Sequence, residues 1–123
     1  MVNYFEQLTS ELSENELDKI LPEVKKILET KIGKVNIITN SKIIKTLKGD
    51  EVSTSPARVR KIIQHIRLSG EIPLLMATNR GYYISNNKEE LDKYIESLHQ
   101  RADSILYTAN QIQWQVDQKF RGR

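Results

Sequence analysis

Apolar residues recur at three- and four-residue intervals in the first quarter of this chain, break into short runs in its middle, and return to an unbroken helical beat towards the end. Tyr4, Phe5, Leu8 and Leu12 predict an amphipathic helix over residues 3–12. Ser13 followed by Glu16 has the spacing of a capping box, in which each side chain satisfies a backbone N–H left free at a helix start, so a second helix should begin at Glu14. Leu17, Ile20, Leu21, Val24, Ile27, Leu28 and Ile32 give it one buried stripe, with Gly33 as its stop. Pro22 interrupts that stripe. It either kinks the helix or sits in the first turn of a fresh one, because its ring lacks the N–H that an interior position needs.

The middle of the chain changes period. Lys34-Val35-Asn36-Ile37-Ile38 is short and rich in β-branched residues, which predicts a brief strand. Thr39 or Asn40 then caps a two-turn helix over Ser41–Leu47, with Ile43, Ile44 and Leu47 inward and Lys42, Lys45 and Lys48 outward. After a turn at Lys48-Gly49-Asp50-Glu51, Ser55 and Pro56 are a natural cap and first residue for a second helix. Winding it at about 100° per residue puts Val59, Ile62, Ile63 and Ile66 on one side. The other side carries Ala57, Arg60, Lys61, Gln64 and Arg67, with Arg58 and His65 on the flank. Two short apolar runs, Ile72–Ala77 and Tyr82–Ile84, flank Thr78-Asn79-Arg80-Gly81, whose Asn and Gly tolerate the positive φ of hairpin turns. Alternation places Ile72, Leu74 and Met76 on one face, and Tyr82 with Ile84 on one face. Pro73 cannot donate to a ladder and belongs at a strand beginning or on an edge.

From Lys88 there is no Pro or Gly until Gly122, so Asn86 or Asn87 caps a helix of roughly 30 residues, against about 11 to 12 for a typical helix. Leu91, Ile95, Leu98, Ala102, Ile105, Ala109, Ile112 and Val116 alternate spacings of four and three, which is a heptad seam. The seam predicts either a homodimeric coiled coil or packing against the helices between Tyr4 and Leu28, and we favour self-association. Trp114 and Phe120 lie off it. The expected organisation is a helical segment over residues 1–33, a domain over 34–86 and a long helix over 87–123. The fold class is mainly α with a small β-hairpin.

Charge gives the middle segment a direction. Residues 1–32 sum to −3, residues 33–86 to +6 and residues 87–123 to zero, within a chain of net charge +3. A local positive excess suits a polyanion, because neutralising phosphates releases counterions. Arg bonds guanine through two parallel hydrogen bonds and Gln does the same for adenine, whereas Ser and Lys near a helix start grip phosphate. Ser55, Ala57, Arg58, Arg60, Lys61, Gln64 and Arg67, with Asn79 and Arg80 at the hairpin tip, are therefore the candidate contacts to double-stranded DNA.

The run Val-Ser-x-x-x-Ala-Arg-Val-Arg-x-Ile-Ile-x-His-Ile-Arg from Val52, then Ser-Gly-x-Ile-Pro, Gly-Tyr-Tyr-Ile-Ser, Glu-Glu-Leu and Ser-Leu-x-x-Arg-Ala, resembles winged helix-turn-helix proteins common in bacteriophage genomes. The resemblance covers about residues 38–112. It implies a DNA-binding fold with residues 55–67 as recognition helix and Asn79–Gly81 as wing tip, followed by a helical tail. Ser41–Leu47 and the acidic end of the turn after it depart from the Ala-x-x-Leu helix and Gly-Val turn usual in that type.

Other chemistries find little support. Two histidines, no cysteine and no phosphate-cradling glycine loop argue against an enzyme, a metal site or a bound cofactor, and no small-molecule substrate is evident. No apolar run approaches the roughly 20 residues that cross a bilayer, the N-terminus lacks a signal-peptide pattern, and the absence of cysteine fits a cytoplasmic protein, the host cytoplasm if phage-encoded. The expected function is DNA binding in transcriptional control or replication. The alternative is a protein-interaction or virion-associated module that keeps the winged fold as scaffold and assembles through its long helix.

Overall fold

The capping box forms as its spacing predicts: the Ser13 N–H donates to Glu16 Oε1 at 2.8 Å and the Glu16 N–H to Ser13 Oγ at 3.2 Å. The computed structural model describes residues 12–121, so the helix expected over residues 3–12 falls almost wholly outside the described residues. A π-type turn, Glu16–Ile20, leads into α1, Leu21–Leu28, with Pro22 in its first turn. Pro22 has no N–H to offer the preceding turn, and the wider register, in which the Leu21 N–H reaches Glu16 O, carries the chain past it. That register also corrects the expected stripe. Residues five apart come into phase across the turn, so Glu16 is buried with Ile20 and Leu21 while Leu17 is 44 % exposed.

The helix stops earlier than Gly33. The Thr30 hydroxyl donates to Ile27 O, Ile32 is half exposed, and Gly33, at φ +86°, instead turns the chain towards the sheet. The strand expected over Lys34–Ile38 is a 3₁₀ turn, Lys34–Asn36, closed by the Asn36 side-chain amide donating to Ile32 O. Its apolar content misled because Val35 is 94 % exposed and only single residues on either side pair with the sheet: Ile32 bridges Ile84 and Ile38 bridges Tyr82.

Two helices follow. Thr39 caps α2, Asn40–Gly49, by accepting from the Lys42 N–H at 3.1 Å. Ser55 caps α3, Pro56–Ser69, by accepting from the Arg58 N–H at 3.3 Å. Between them the Val52 N–H reaches Leu47 O and the Glu51 N–H reaches Lys48 O, a Schellman closure that needs Glu51 in the left-handed region at φ +64°. Helices α1, α2 and α3 pack on one another. Val24, Leu28, Ile43, Leu47, Val59, Ile62 and Ile66 are fully buried at their meeting point.

Strands β1, Leu75–Thr78, and β2, Gly81–Ile84, form an antiparallel hairpin pairing Leu75 with Ile84, Met76 with Tyr83, Ala77 with Tyr82 and Thr78 with Gly81. The strand starts after Leu74 because Leu74 itself is left-handed at φ +63° and exposed, so the expected Ile72–Leu74–Met76 face does not exist. Leu75 with Tyr82 and Ile84 packs on the core instead, and Met76 and Tyr83 pair, buried, on the opposite face. At the tip the positive φ falls on Gly81 rather than on Asn79. A Cβ on Gly81 would drive into the Ile38 carbonyl, which accepts from the Tyr82 N–H at 2.8 Å.

The chain divides into two compact units between Asn86 and Asn87. The second is α4, Lys88–Phe120, capped by Asn87 accepting from the Glu90 N–H at 3.0 Å.

Candidate nucleic-acid interface

The basic side of α3 is not uniformly available. Glu16, 4 % exposed, accepts from Lys61 Nζ at 3.2 Å through one carboxylate oxygen and pairs with Arg58 Nε at 3.5 Å through the other. Burial acts to raise its pKa, but the Ser13 backbone N–H, the Lys61 ammonium by hydrogen bond and by charge, and the Ser13 side chain together outweigh it and hold the carboxyl below its ordinary value. Further along α3, Arg67 is also engaged: its Nε donates to Leu75 O at 3.3 Å and its Nη1 to Gln64 Oε1 at 3.2 Å. Arg67 thereby ties the helix to β1 and takes up the Gln64 side-chain carbonyl. His65 pairs with Glu71, 3.6 Å away, which Lys25 also approaches.

What remains open is the start of α3 and one corner beside it. Ala57 and Arg60 are exposed, as are Asn79 and Arg80 at the hairpin tip. Arg60 and Arg80 both line a shallow concavity of about 280 Å³, together with Asn79 and the first residues of α2, Thr39, Asn40 and Ser41. Neither arginine is in an ion pair among the described residues. The start of α2 adds backbone N–H groups and the positive end of a helix dipole. Asn40 fixes this corner: its Nδ2 donates to Pro56 O at 3.3 Å and to the Tyr82 hydroxyl at 3.5 Å, so one side chain spans the starts of both helices and β2. Its Oδ1 is buried with no hydrogen-bond partner among the described residues. Guanidinium groups from two elements and a helix N-terminus line one hollow, an arrangement whose chemistry suits an anion.

The site therefore differs from the expected set in both directions. Arg60, Asn79 and Arg80 come together, Ala57 lines a separate hollow with Ser55, Arg58, Lys61 and Glu16, and Ser55 spends its hydroxyl on the cap. Arg58, Lys61, Gln64 and Arg67 are occupied by contacts within the fold. Thr39, Asn40 and Ser41 were absent from the expected set, although the cap at Thr39, legible in the sequence, marks the helix end that makes them relevant.

No residue of α4 is buried. The seam positions Ile95, Leu98, Ala102, Ile105, Ala109, Ile112 and Val116 are exposed, Ile105 at 70 %, and Leu91 is intermediate. Trp114 and Phe120 are exposed as well. Among the described residues no helix is long and apolar enough to cross a membrane. No family model, curated protein or solved structure matches this chain.

Proposed function

We propose that this chain is a DNA-binding protein of the winged helix-turn-helix kind, a regulator of transcription or a replication-associated factor, in which α3 enters the major groove and the β1–β2 hairpin acts as the wing. The reading rests on one observation: Arg60 of α3, Arg80 of the hairpin and the N-terminus of α2 converge on a single open hollow. The chain order also suits it, with a capped helix, a tight turn, a second capped helix and a hairpin. Arg60 and Arg80 would grip one stretch of backbone together, at the edge of the groove, while Ala57 lets the start of α3 approach the base edges.

The test is binding to mixed duplex DNA across a salt series. Replacing Arg60 and Arg80 together by Ala should weaken binding by at least about tenfold and reduce the slope of log K against log salt by about 2, since each phosphate contact contributes about 0.9. Unchanged affinity and slope would remove the DNA reading. The second reading, a scaffold that assembles through α4, is favoured by the exposed apolar face of that helix. It gains if the double variant and the parent chain are equally inert towards DNA while both self-associate. Pairing of two chains through the seam from Leu91 to Val116 is common to both readings.

A further inference from the structure

We infer that two copies of α4 pair antiparallel, centred between Asp103 and Ser104, so that Ile95 of one chain faces Ile112 of the other. The inference rests on self-association through the heptad seam and adds its orientation and register.

Three observations carry it. The first is the size of the seam residues. Reading the seam as heptads puts Ile95, Ala102, Ala109 and Val116 at one core position and Leu91, Leu98, Ile105 and Ile112 at the other. A parallel pair stacks like on like, so Ala102 would meet Ala102 and Ala109 would meet Ala109, leaving two thin layers in the middle of the interface. In an antiparallel pair the two kinds of core position face each other. With the stated centre, Ala102 then meets Ile105 and Ala109 meets Leu98, so each small residue is filled by a large one. The outer layers, Ile95 on Ile112 and Val116 on Leu91, join large residues to large, and no seam position lacks a partner. Close packing without voids is what core layers require.

The second observation is charge. Over residues 88–103, Glu89, Glu90, Asp92, Glu96 and Asp103 outnumber Lys88, Lys93 and Arg101, a net −2. Over residues 104–120, the second half of α4, Asp117 and Lys119 balance to a net 0. This segregation suits the helix's own dipole. In an antiparallel pair it also lays the acidic half of each helix along the neutral half of its partner, whereas a parallel pair sets acid beside acid. The third is the dipole itself, whose opposite ends lie side by side only in the antiparallel arrangement. Of the positions flanking the seam, Tyr94, Arg101, His99 and Leu106 introduce no like-charge pair in this register, and the one like-charge contact, Lys88 with Lys119, lies at the solvated ends of the pair.

The chain has no cysteine, so introduced thiols report without interference. Full-length Ile95→Cys and Ile112→Cys variants should each remain dimeric under reducing conditions, by sedimentation equilibrium. Under mild oxidation neither should cross-link to itself, while their mixture should yield the disulfide-linked heterodimer. Efficient Ile95→Cys self-cross-linking would show a parallel pair and overturn the orientation while leaving the dimer standing. A monomeric mass for the unmodified chain would overturn both. If the core thiols disturb pairing, a spin label on Lys88→Cys, at an exposed position outside the seam, decides the matter. Antiparallel pairing puts the two labels about 45 Å apart at 1.5 Å per residue. A separation of about 15 Å would overturn the proposal.

Discussion

Glu16 ties down two of the cations of α3. Its two oxygens hold Arg58 and Lys61 from a position almost out of water, so if the proposed DNA binding holds, changing it should alter stability and affinity in opposite directions. A Glu16→Gln variant keeps the size and the capping amide but loses the charge. It should lose about 1–2 kcal/mol at neutral pH, since hydrogen bonds to charged groups contribute about that much and both cations are partly solvated. The pH dependence has a fixed sign. A carboxyl whose folded pKa lies below its unfolded value stabilises the protein above the ordinary carboxylate range and loses that contribution as pH falls through the folded value. Urea unfolding of parent and variant should therefore differ most at neutral pH and converge in acid; a gap that persists in acid would remove the charge from the explanation. The same variant releases Arg58 and Lys61, and should bind mixed duplex more tightly at low salt with a steeper salt dependence. The core isoleucines of α3 and the Ser55 cap were legible in the sequence because each rests on spacing within one helix. The contacts of Glu16 with Arg58 and Lys61 were not, since Glu16 and Lys61 are 45 residues apart and nothing local to either reveals the other.

At the scale of elements, the helices were read closely and the links between them less so. Both caps, the inward Ile43 and Leu47, and the hairpin turn follow from residue type and period. The segment over Lys34–Ile38 did not, because β-branched composition is silent about a side-chain bond such as Asn36 to Ile32 that closes a turn instead. The π-type turn was hidden in the same way, since Pro22 announces a disruption but not the register that absorbs it. The turn between α2 and α3 offers a direct test. Its closure places Glu51 at φ +64°, where a Cβ crowds the backbone, and the glycine nearby stands at Gly49, where α2 is still helical. Glu51→Gly should raise stability by about 0.5–1 kcal/mol, the left-handed penalty of about 1–2 kcal/mol less the extra entropy that glycine loses on folding. A thermal midpoint that fails to rise would mean the Schellman closure is not what fixes this turn.

For the whole molecule, the proposed pairing would join two basic units through one helix pair. Helix α4 spans 33 residues, about 50 Å at 1.5 Å per residue, and each chain enters it at Lys88. Antiparallel pairing therefore starts the two helices at opposite ends, farther apart than the roughly 34 Å between successive half-sites on one face of a duplex. Such a dimer suits two separated sites on a long duplex, or two duplexes, and its advantage over a monomer is one of effective concentration, without new contacts. Replacing Leu98 and Ile105, which both face alanines in the proposed register, by Glu should separate the chains while leaving residues 12–86 folded by circular dichroism. On a duplex of about 12 base pairs, too short for two units at that spacing, the variant should bind as the parent does. On a duplex of several hundred base pairs it should bind at least about tenfold more weakly, at the low end of what bivalency supplies. Equal losses on both duplexes would mean that α4 itself contributes to the contact with DNA, and no loss on either would mean that the paired units never engage one duplex together.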